Sequence, residues 1–472
     1  MFSENDGSRK GADAGVNHSV INEIIAGGRL SFEEYHSELL EALKDTDEQV
    51  YELIEREYQR QRNTLQLVAA ENRCSRAVLA ALGSIVQNKT AEGYPGLRLH
   101  SGSEVIDDIE RTVVERAKEV FGAQYANVQP HSGTTANLIV INALLERGDT
   151  ILSLPSNQGG HFSHGSADSI TAKFYKVENY VLDEESCMLD YDAIEVKAQQ
   201  VRPKLIICGA SVYSRVIDFE RFREIADKAG SFLLADVSHI AGLVSAGVHP
   251  SSINCAHFTT TSTYKSGGPR GGLILSGKDA DSQIKVGEKR MTLSELIDTS
   301  VFPGLQGTPY LNNIAGKAVF FSEMLSDEYK ERQGRIVVNA EVLADCLTEL
   351  GYEVLTGGTD NHMMVVDATR SREGLNGTIA SRCLEECGIV VDRVELPFER
   401  PGSAAAGGLR LGTPIVTLMG MGPEEMKDIA YLFDEILRGV TIKGECNCEM
   451  EDGFAERMRG KVEQLCRRFD IS

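Results

Sequence analysis

The chain has 472 residues, of which 42% are apolar and 25% are charged, and its formal net charge at pH 7 is −22. This length can bury a large core and predicts two or more domains. The negative charge argues against general binding to nucleic acid or anionic membrane, and no apolar run approaches the roughly twenty residues that cross a bilayer. We therefore expect small-molecule chemistry.

The N-terminus, MFSENDGSRKGADAG, is polar and lacks the apolar core of a secretory signal. We predict a disordered arm here and a cytoplasmic location, in which the ten cysteines are reduced thiols. Cys446 and Cys448, in GECNCEME, have no second cysteine pair or histidines at zinc-site spacing. We predict a loop at this pair and no metal site.

Helical and strand patterns follow in order along the chain. Residues 31–62 carry apolar residues at helical spacing amid dense charge, which predicts one or two amphipathic helices for packing or dimer contact. From about residue 75 to 320, short β-rich runs alternate with helical patterns, as in an α/β sheet flanked by helices. The candidate strands are ANVQP, TILSL, KLIICG, SFLLAD, AHFTTTS and GLILSG.

The pattern changes after SVFPGLQGTP. A long helical stretch is predicted from about 312 to 350, followed by mixed elements and a closing helix at 451–468. We therefore predict an N-terminal arm with helices at 1–65, a large domain at 66–320 and a smaller C-terminal domain at 321–472.

The stretch TSTYKSGGPRGG places Lys265 between a strand-like run of hydroxyl residues and a glycine-rich turn. A lysine can bind an aldehyde covalently when its surroundings deliver the amine neutral. Asp236 ends the run LLAD upstream, and a carboxylate held against a pyridine nitrogen keeps that nitrogen protonated. The two residues suggest a pyridoxal phosphate site; a surface lysine beside a flexible turn is the alternative.

Three further features fit such a site. His239, close after Asp236, would lie near the same ring. HSGTTAN opens a predicted helix, so Ser132, Thr134 and nearby amides suit a phosphate, although the same residue types cap ordinary helices. Arg410, in GLRLGTP, can clamp an amino-acid carboxylate through two parallel hydrogen bonds, although a lone arginine is more often structural.

A longer series of motifs occurs in one order between residues 66 and 440: AAEN, NKTAEGYPG, ANVQPHSGTTAN, GGHFSHG, ADVSHIAGLVSAGVHPS, YKSGGPRGGLIL, VFPGLQGTP, GGTDNH and LRLGTP. Through these motifs the chain resembles serine hydroxymethyltransferase (glycine hydroxymethyltransferase), a fold-type-I pyridoxal phosphate enzyme. The resemblance implies an aspartate aminotransferase-like α/β fold, with a mostly parallel seven-stranded sheet in the large domain and a smaller α/β C-terminal domain.

The resemblance also implies site roles and a homodimer or dimer of dimers. Lys265 would join pyridoxal 5'-phosphate as a Schiff base, Asp236 would pair with the ring nitrogen, and Arg410 would hold the substrate carboxylate. Glu92 would be an acid or base that reaches the site across the subunit interface. The other implied cofactor contacts are Ser132, Gly133, Thr134, Ser211 and His239, with Gly307 from the neighbouring subunit.

The departures from this family lie around the substrate. Tyr264 stands where the family usually has histidine, and Gln158 replaces a histidine that stacks on the cofactor ring. Leu99 and His100 replace two tyrosines at the folate and the substrate carboxylate, and Val394 aligns with an asparagine that contacts the pterin. Losing an aromatic wall and a polar contact should weaken folate binding by about 2 to 5 kcal/mol. Tetrahydrofolate is therefore not an expected cofactor.

The replaced residues set substrate orientation, which decides the bond at Cα or Cβ that breaks. We predict a specialised enzyme for a bulkier amino acid, similar to the hydroxymethyltransferase-like enzymes of lincosamide antibiotic biosynthesis. Those process a cysteine S-conjugate by C–S β-elimination or by decarboxylation with oxidative deamination. Glu92, Tyr264 or Lys265 would act as acid or base. The alternatives are serine/glycine hydroxymethyltransferase, threonine aldolase or transaldolase, and a catalytically silent scaffold.

Overall fold

The computed structural model describes residues 39–399 and 405–469. The predicted disordered arm lies outside the described residues. The chain divides into two compact units, residues 1–63 and 64–472. In the first unit, helices span Leu39–Thr46 and Glu48–Asn63, so the helical prediction is confirmed for the described part of 31–62.

Seven strands form the central sheet of the second unit, in the order β1-β7-β6-β5-β4-β2-β3. Strand β7 runs antiparallel to both its neighbours and the other pairs are parallel, which confirms the mostly parallel α/β sheet. All six candidate strands are present; the prediction missed β3, a polar edge strand without an apolar run. The strands are β1 (Tyr125–Asn127), β2 (Thr150–Ser153), β3 (Lys176–Asn179), β4 (Leu205–Cys208), β5 (Phe232–Asp236), β6 (Phe258–Ser262) and β7 (Gly272–Ser276).

The central strands are buried on both faces. In β4, Leu205 and Ile207 belong to one apolar core, whereas Ile206 and Cys208 belong to another. Successive side chains of a strand point to opposite faces, so a continuous apolar run serves both cores. Burying each such Leu or Ile stabilises the fold by about 1.5 to 3 kcal/mol. The buried sheet therefore holds the residues at its edge in fixed positions.

Helices surround the sheet, and the last described helix ends at Cys466. The long helical stretch predicted from 312 to 350 is two helices, because the Ser326 side chain caps the second by accepting a hydrogen bond from Tyr329 N. None of the helices in the described ranges is long and apolar enough to cross a membrane. The helices of the second unit are Arg76–Leu82, Glu104–Phe121, Gly133–Leu144, Ile170–Phe174, Tyr191–Val201, Phe219–Ala229, Ala241–Ser245, Leu293–Thr299, Leu311–Met324, Asp327–Glu349, Ala368–Ser371, Gly377–Glu386, Pro414–Leu418, Pro423–Arg438 and Phe454–Cys466.

A four-stranded antiparallel sheet follows, in the order β8-β9-β11-β10. Leu65 and Leu67 pack in the same apolar core as this sheet. The division of the chain at residue 320 stays a prediction. The strands are β8 (Glu353–Val354), β9 (Met363–Asp367), β10 (Asp392–Val394) and β11 (Gly408–Gly412).

Four short two-stranded pairs complete the described structure. One of them overturns part of a prediction, because Cys448 lies in a strand and only Cys446 lies in the turn that was expected to hold both. The pairs are Leu65–Gln66 with Ile389–Val390, Gly93–Tyr94 with Leu97–Arg98, Gln283–Val286 with Lys289–Thr292, and Val440–Gly444 with Asn447–Met450.

Candidate active site

A pocket of about 470 Å³ lies where the parallel strands end. Residues that follow the carboxyl ends of parallel strands gather at one edge of the sheet, which is the usual position of a ligand. Here β4 leads to Ser211, β5 ends at Asp236, and β6 leads to Lys265. The pocket lining includes His161, Ser211, His239, Tyr264, Lys265, Val394 and Arg410.

Lys265 lies in a single 3₁₀ turn, Tyr264–Ser266, directly after β6. Asn72 Nδ2 donates a hydrogen bond of 3.2 Å to the Lys265 carbonyl oxygen. Gly267 ends the turn with φ of 106°, a conformation that glycine adopts without strain. Among the described residues, the hydrogen bond of Lys265 Nζ is a long one of 3.4 Å to Ser262 Oγ. The backbone is therefore held firmly while the amine is held weakly.

The ring of Tyr264 lies beside two cations. The Arg270 guanidinium is 3.9 Å from the ring centroid, and the Lys265 Nζ is 5.1 Å from it. An aromatic face attracts such cations by about 0.5 to 2 kcal/mol. A protonated imidazole at this position would repel both cations, so the change from the family's histidine alters the charge balance beside the amine. A catalytic role for Tyr264 stays a prediction.

Asp236 is buried and accepts four hydrogen bonds. Its Oδ2 accepts from Asn137 Nδ2 at 2.7 Å and from His164 Nε2 at 3.0 Å. Its Oδ1 accepts from Ser238 N at 3.0 Å and from Ser238 Oγ at 2.6 Å. Burial alone would raise the pKa of Asp236, but the bonds from His164 and Ser238 hold it below its ordinary value. The carboxylate is therefore ionised at neutral pH, as a partner of a pyridinium must be.

The sequence reasoning missed His161 and His164 as site residues. His164 is buried against Asp236, and His161 lines the pocket. Ser163 N donates to His161 Nδ1 at 3.3 Å, so the proton of a neutral His161 lies on Nε2. Burial lowers the pKa of His161, and the Asp236 charge opposes that change. Two histidines three residues apart, soon after the predicted strand TILSL, were the available signal.

His239 carries a buried nitrogen that suits a bound ligand. Its Nδ1 has no hydrogen-bond partner among the described residues. Burial lowers the pKa of His239 well below its ordinary value, and the charges of Lys265 and Arg410 add to the effect. The imidazole is therefore neutral. An unpartnered polar atom at a pocket wall is satisfied when a ligand group reaches it, which fits the predicted cofactor contact.

The turn at Ser132 has features of a phosphate cradle. Ser132 Oγ accepts a hydrogen bond of 3.0 Å from Thr135 N and so caps the helix that follows. The first N–H groups of that helix, at Gly133 and Thr134, have no partner within the helix. A Cβ added at Gly133 would lie 3.1 Å from Ser262 Cβ, so the close approach favours glycine. The hydroxyl and N–H groups of this turn fit a phosphate. Cofactor contacts by Ser132, Gly133 and Thr134 stay predictions.

Arg410 is buried and already paired, which the sequence reasoning did not foresee. Strands β10 and β11 place Asp392 directly opposite Arg410. Arg410 Nε and Nη2 donate to Asp392 Oδ2 at 3.0 and 2.6 Å, and Nη1 donates to the Ser211 carbonyl oxygen at 2.5 Å. Within the described residues these bonds leave two of the five guanidinium N–H groups for a substrate carboxylate.

Two of the positions that depart from the resembled family lie in different cavities. Val394 lines the Lys265 pocket. Gln158 is buried, its Oε1 accepts a hydrogen bond of 2.8 Å from Leu182 N, and it lines a separate narrow cavity with Leu182 and Tyr213. The structure thus brings Val394 to the pocket and holds the Gln158 amide through another contact. A cofactor contact by Gln158 stays a prediction.

Glu92, Leu99, His100 and Gly307 form a second group, outside the lining of the Lys265 pocket. A Cβ added at Gly307 would lie 2.9 Å from Glu92 Oε1, and Leu99 N donates to the Glu92 carbonyl oxygen at 3.0 Å. The Leu99 side chain is 70% exposed, and His100 is exposed too. The fold therefore brings Glu92 and Gly307 together, away from the lining of their own chain's pocket.

Comparisons with known proteins agree with the resemblance. A family model described as serine hydroxymethyltransferase matches residues 43–433. The serine hydroxymethyltransferase of Marinomonas sp. (strain MWYL1) is 42% identical over 432 residues, which cover 91% of this chain and 97% of that protein. The matched range contains the central sheet, the turn at Ser132 and the residues that line the Lys265 pocket.

Proposed function

The chain belongs to the serine hydroxymethyltransferase family, and from this premise we propose that it acts without tetrahydrofolate on an amino acid bulkier than serine. Membership makes it a pyridoxal phosphate-dependent enzyme of fold type I. The proposal concerns its reaction, which we assign to Cα or Cβ of the substrate. The leading substrate class is a cysteine S-conjugate, as for the hydroxymethyltransferase-like enzymes of lincosamide antibiotic biosynthesis.

The pocket wall formed by β10 carries this proposal. Val394 gives the wall an apolar side chain, and a pterin edge left without a hydrogen-bond partner there would lose about 1 to 3 kcal/mol. Next to it, Asp392 shares the Arg410 guanidinium with any substrate carboxylate. A small amino acid would be held less firmly by a shared arginine. A larger substrate compensates through contacts of its body with the pocket.

The residues present fit pyridoxal 5'-phosphate. Three features each suit one part of the cofactor. They are His239 Nδ1, which has no partner among the described residues, the ionised Asp236 and the close approach at Gly133. When bound, this cofactor supplies an electron sink that stabilises negative charge at the substrate Cα. The residues that would hold it are Lys265, Asp236, His239, Ser132, Gly133, Thr134 and Ser211, with Gly307 of a second subunit.

Around the reacting atoms, each side chain has a role that follows from its surroundings. Among the described residues the Lys265 Nζ has a long hydrogen bond to Ser262 Oγ and no ion pair, so the neutral amine can accept a proton from Cα and return it. The Tyr264 ring keeps this amine close to the pocket through its attraction for cations. Arg410 fixes the substrate carboxylate and thereby sets which bond at Cα or Cβ is aligned for cleavage. Glu92 would supply a second acid or base from the neighbouring subunit.

A single-turnover assay of the cofactor-loaded enzyme with an S-alkyl cysteine tests the proposal. Thiol with pyruvate and ammonia indicates β-elimination, whereas carbon dioxide with an aldehyde and ammonia, formed while dioxygen is consumed as the oxidant, indicates decarboxylation with oxidative deamination. A Lys265→Ala protein measures the background reaction of loosely bound cofactor. Neither product pair, from a protein that retains the visible absorption of the bound cofactor, would count heavily against the substrate class.

The second candidate is the aldol-type reaction of the family. It is favoured by the 42% identity, across 97% of its length, to a protein named serine hydroxymethyltransferase. In this case Glu92 would assist proton transfer at the β-hydroxyl of serine, or of threonine in an aldolase or transaldolase reaction. Serine-to-glycine conversion that needs tetrahydrofolate and runs at least about a hundredfold faster with it would overturn the folate-independent proposal.

We also propose a homodimer or dimer of dimers, in the cytoplasm. The support is the common location of Glu92 and Gly307 outside the pocket lining of their own chain. Light scattering of the cofactor-loaded enzyme measures the state directly. A monomer with full activity would contradict the assignment, because Glu92 would then have no pocket to reach.

A further inference from the structure

Two thiols approach each other outside the lining of the Lys265 pocket. Cys383 lies on the helix Gly377–Glu386, and Cys448 lies on the strand Asn447–Met450. Their Sγ atoms are 3.2 Å apart. A disulfide bond is about 2.05 Å long, so a shift of about 1 Å, which small side-chain rotations can supply, would join them. Other cysteines in the described ranges lack so close a partner sulfur among the recorded contacts.

The two thiols have different surroundings. Cys383 is buried, whereas Cys448 is partly exposed. Arg382 Nη2 donates a hydrogen bond of 2.9 Å to Cys448 Sγ, and this donor is in place when the sulfur attacks as a thiolate. Burial, together with the contact to Cys448, raises the pKa of Cys383. Cys448 is therefore the thiol suited to react first, and Cys383 is placed to react with its product.

We propose that Cys383 and Cys448 form a reversible intramolecular disulfide when the enzyme meets a hydroperoxide. The Cys448 thiol loses its proton, and its sulfur attacks one peroxide oxygen to give a sulfenic acid and one water. The Cys383 thiol then loses its proton as its sulfur displaces the hydroxyl group, which leaves as a second water. Two thiols are thus oxidised to one disulfide while hydrogen peroxide is reduced to two waters. A dithiol reductant reverses the change.

The bond would fasten a hairpin to a helix that leads into the pocket wall. The hairpin already meets this helix through Arg382 Nη1, which donates to the Cys446 carbonyl oxygen at 3.2 Å. The helix is followed within six residues by Asp392, the partner of Arg410. A cross-link restricts the unfolded chain by closing a loop of some sixty residues, so the oxidised protein should unfold at a higher temperature.

Peptide mapping of the oxidised holoenzyme tests the proposal. The cofactor-loaded wild-type protein is treated with hydrogen peroxide, remaining thiols are alkylated, and the digest is analysed without reductant. We expect a peptide pair joined through Cys383 and Cys448, a loss of two of the ten free thiols, and a Tm raised by a few degrees. Dithiothreitol should restore both the thiol count and the original Tm.

Four variants separate this proposal from its alternatives. Cys383→Ala and Cys448→Ser should abolish the cross-link and the Tm increase, whereas Cys346→Ser, at a cysteine on another helix, should retain both. Arg382→Gln should slow formation of the bond by about threefold or more, since the thiolate loses its nearest cation. A cross-link through Cys446 or between two chains, or oxidation of Cys448 to a sulfinic acid without any cross-link, would overturn the assignment. The wild-type map decides even if a variant fails to fold.

Discussion

Two regions differ in how completely their own chain surrounds them. They are the pocket around Lys265 and the group at Glu92, Leu99 and His100. Asp236 has four donors from its own chain, whereas Leu99 is 70% exposed in that chain. The surroundings of Asp236 are thus supplied by its own chain. The exposed group has few contacts within its own chain, and under the proposed dimer a second chain would supply the surface that completes its site.

This difference explains where substitutions can accumulate. Replacing a residue in a buried hydrogen-bonded network leaves other groups unsatisfied and costs about 1 to 3 kcal/mol for each. Surface substitutions such as those at Leu99 and His100 usually change stability by about 0.5 kcal/mol or less. A family member can therefore change its substrate side while its cofactor side stays fixed. The five predictions below test that separation, beginning with the largest effect.

Lys265→Ala should reduce turnover by about a thousandfold or more, because the variant loses both the covalent anchor and the proton acceptor at Cα. The measurement is single-turnover product formation, together with the visible absorption of the bound cofactor. Lys278→Ala, at an exposed lysine beyond the pocket, is the matched control and should retain full activity. A Lys265→Ala enzyme within tenfold of the wild type would show that another group performs this role.

Asp236→Asn should weaken cofactor binding and lower turnover by about a hundredfold, because a neutral amide cannot hold a pyridine nitrogen protonated. Equilibrium dialysis gives the affinity, and single-turnover assays give the rate. Asp279→Asn is a suitable control, since Asp279 is also in an ion pair, with Arg223, but among the described residues has no contact with those around Asp236. Equal losses in both variants would mean that general destabilisation explains the effect.

Acid should destabilise the wild type through the same carboxylate. The pKa of Asp236 is below its ordinary value in the folded chain, so its contribution is complete above about pH 4 and is lost as the pH falls toward the folded pKa. Denaturant unfolding of the apoenzyme between pH 7 and pH 3 measures this change. The stability difference between wild type and Asp236→Asn should shrink below pH 4, and a constant difference would contradict the assigned cause.

Local sequence patterns predicted the features that depend on local residues. The apolar runs located six central strands, and the strand ends located Asp236 and Lys265. The edge strand Lys176–Asn179 was missed because its pairing, and not its composition, makes it a strand. The ion pair of Asp392 and Arg410 was missed for a related reason. It depends on the register of two strands that are 14 residues apart along the chain, which no local pattern encodes.

Subunit mixing tests whether the exposed group acts on a second chain. Glu92→Gln alone should lower turnover by about tenfold or more, as expected for a lost general acid or base. When Glu92→Gln protein is mixed with an equal amount of Lys265→Ala protein under conditions that exchange subunits, half of the dimers should contain one chain of each kind. Each such dimer has one intact site of two, so the mixture should recover about a quarter of wild-type activity. A control in which subunits cannot exchange should show no recovery. Absence of recovery despite demonstrated exchange would place Glu92 at its own chain's pocket.

Asp392→Asn should have the smallest effect and concerns the pocket wall. The amide can still accept a hydrogen bond from Arg410 but no longer neutralises it, so a substrate carboxylate meets a stronger positive charge. We expect KM for the amino-acid substrate to fall about threefold while kcat changes by less than about twofold.

Glu395→Gln is the matched control for that variant. Glu395 also lines the pocket, and its substitution removes the same charge without touching the recorded bonds of Arg410. Equal changes in KM for the two variants would mean that KM depends on the total charge of the pocket and not on the ion pair of Asp392 and Arg410. A rise in KM for Asp392→Asn alone would instead show that Asp392 holds Arg410 in position for the substrate. The wall would then favour carboxylate binding, which removes the reason for proposing a bulkier substrate.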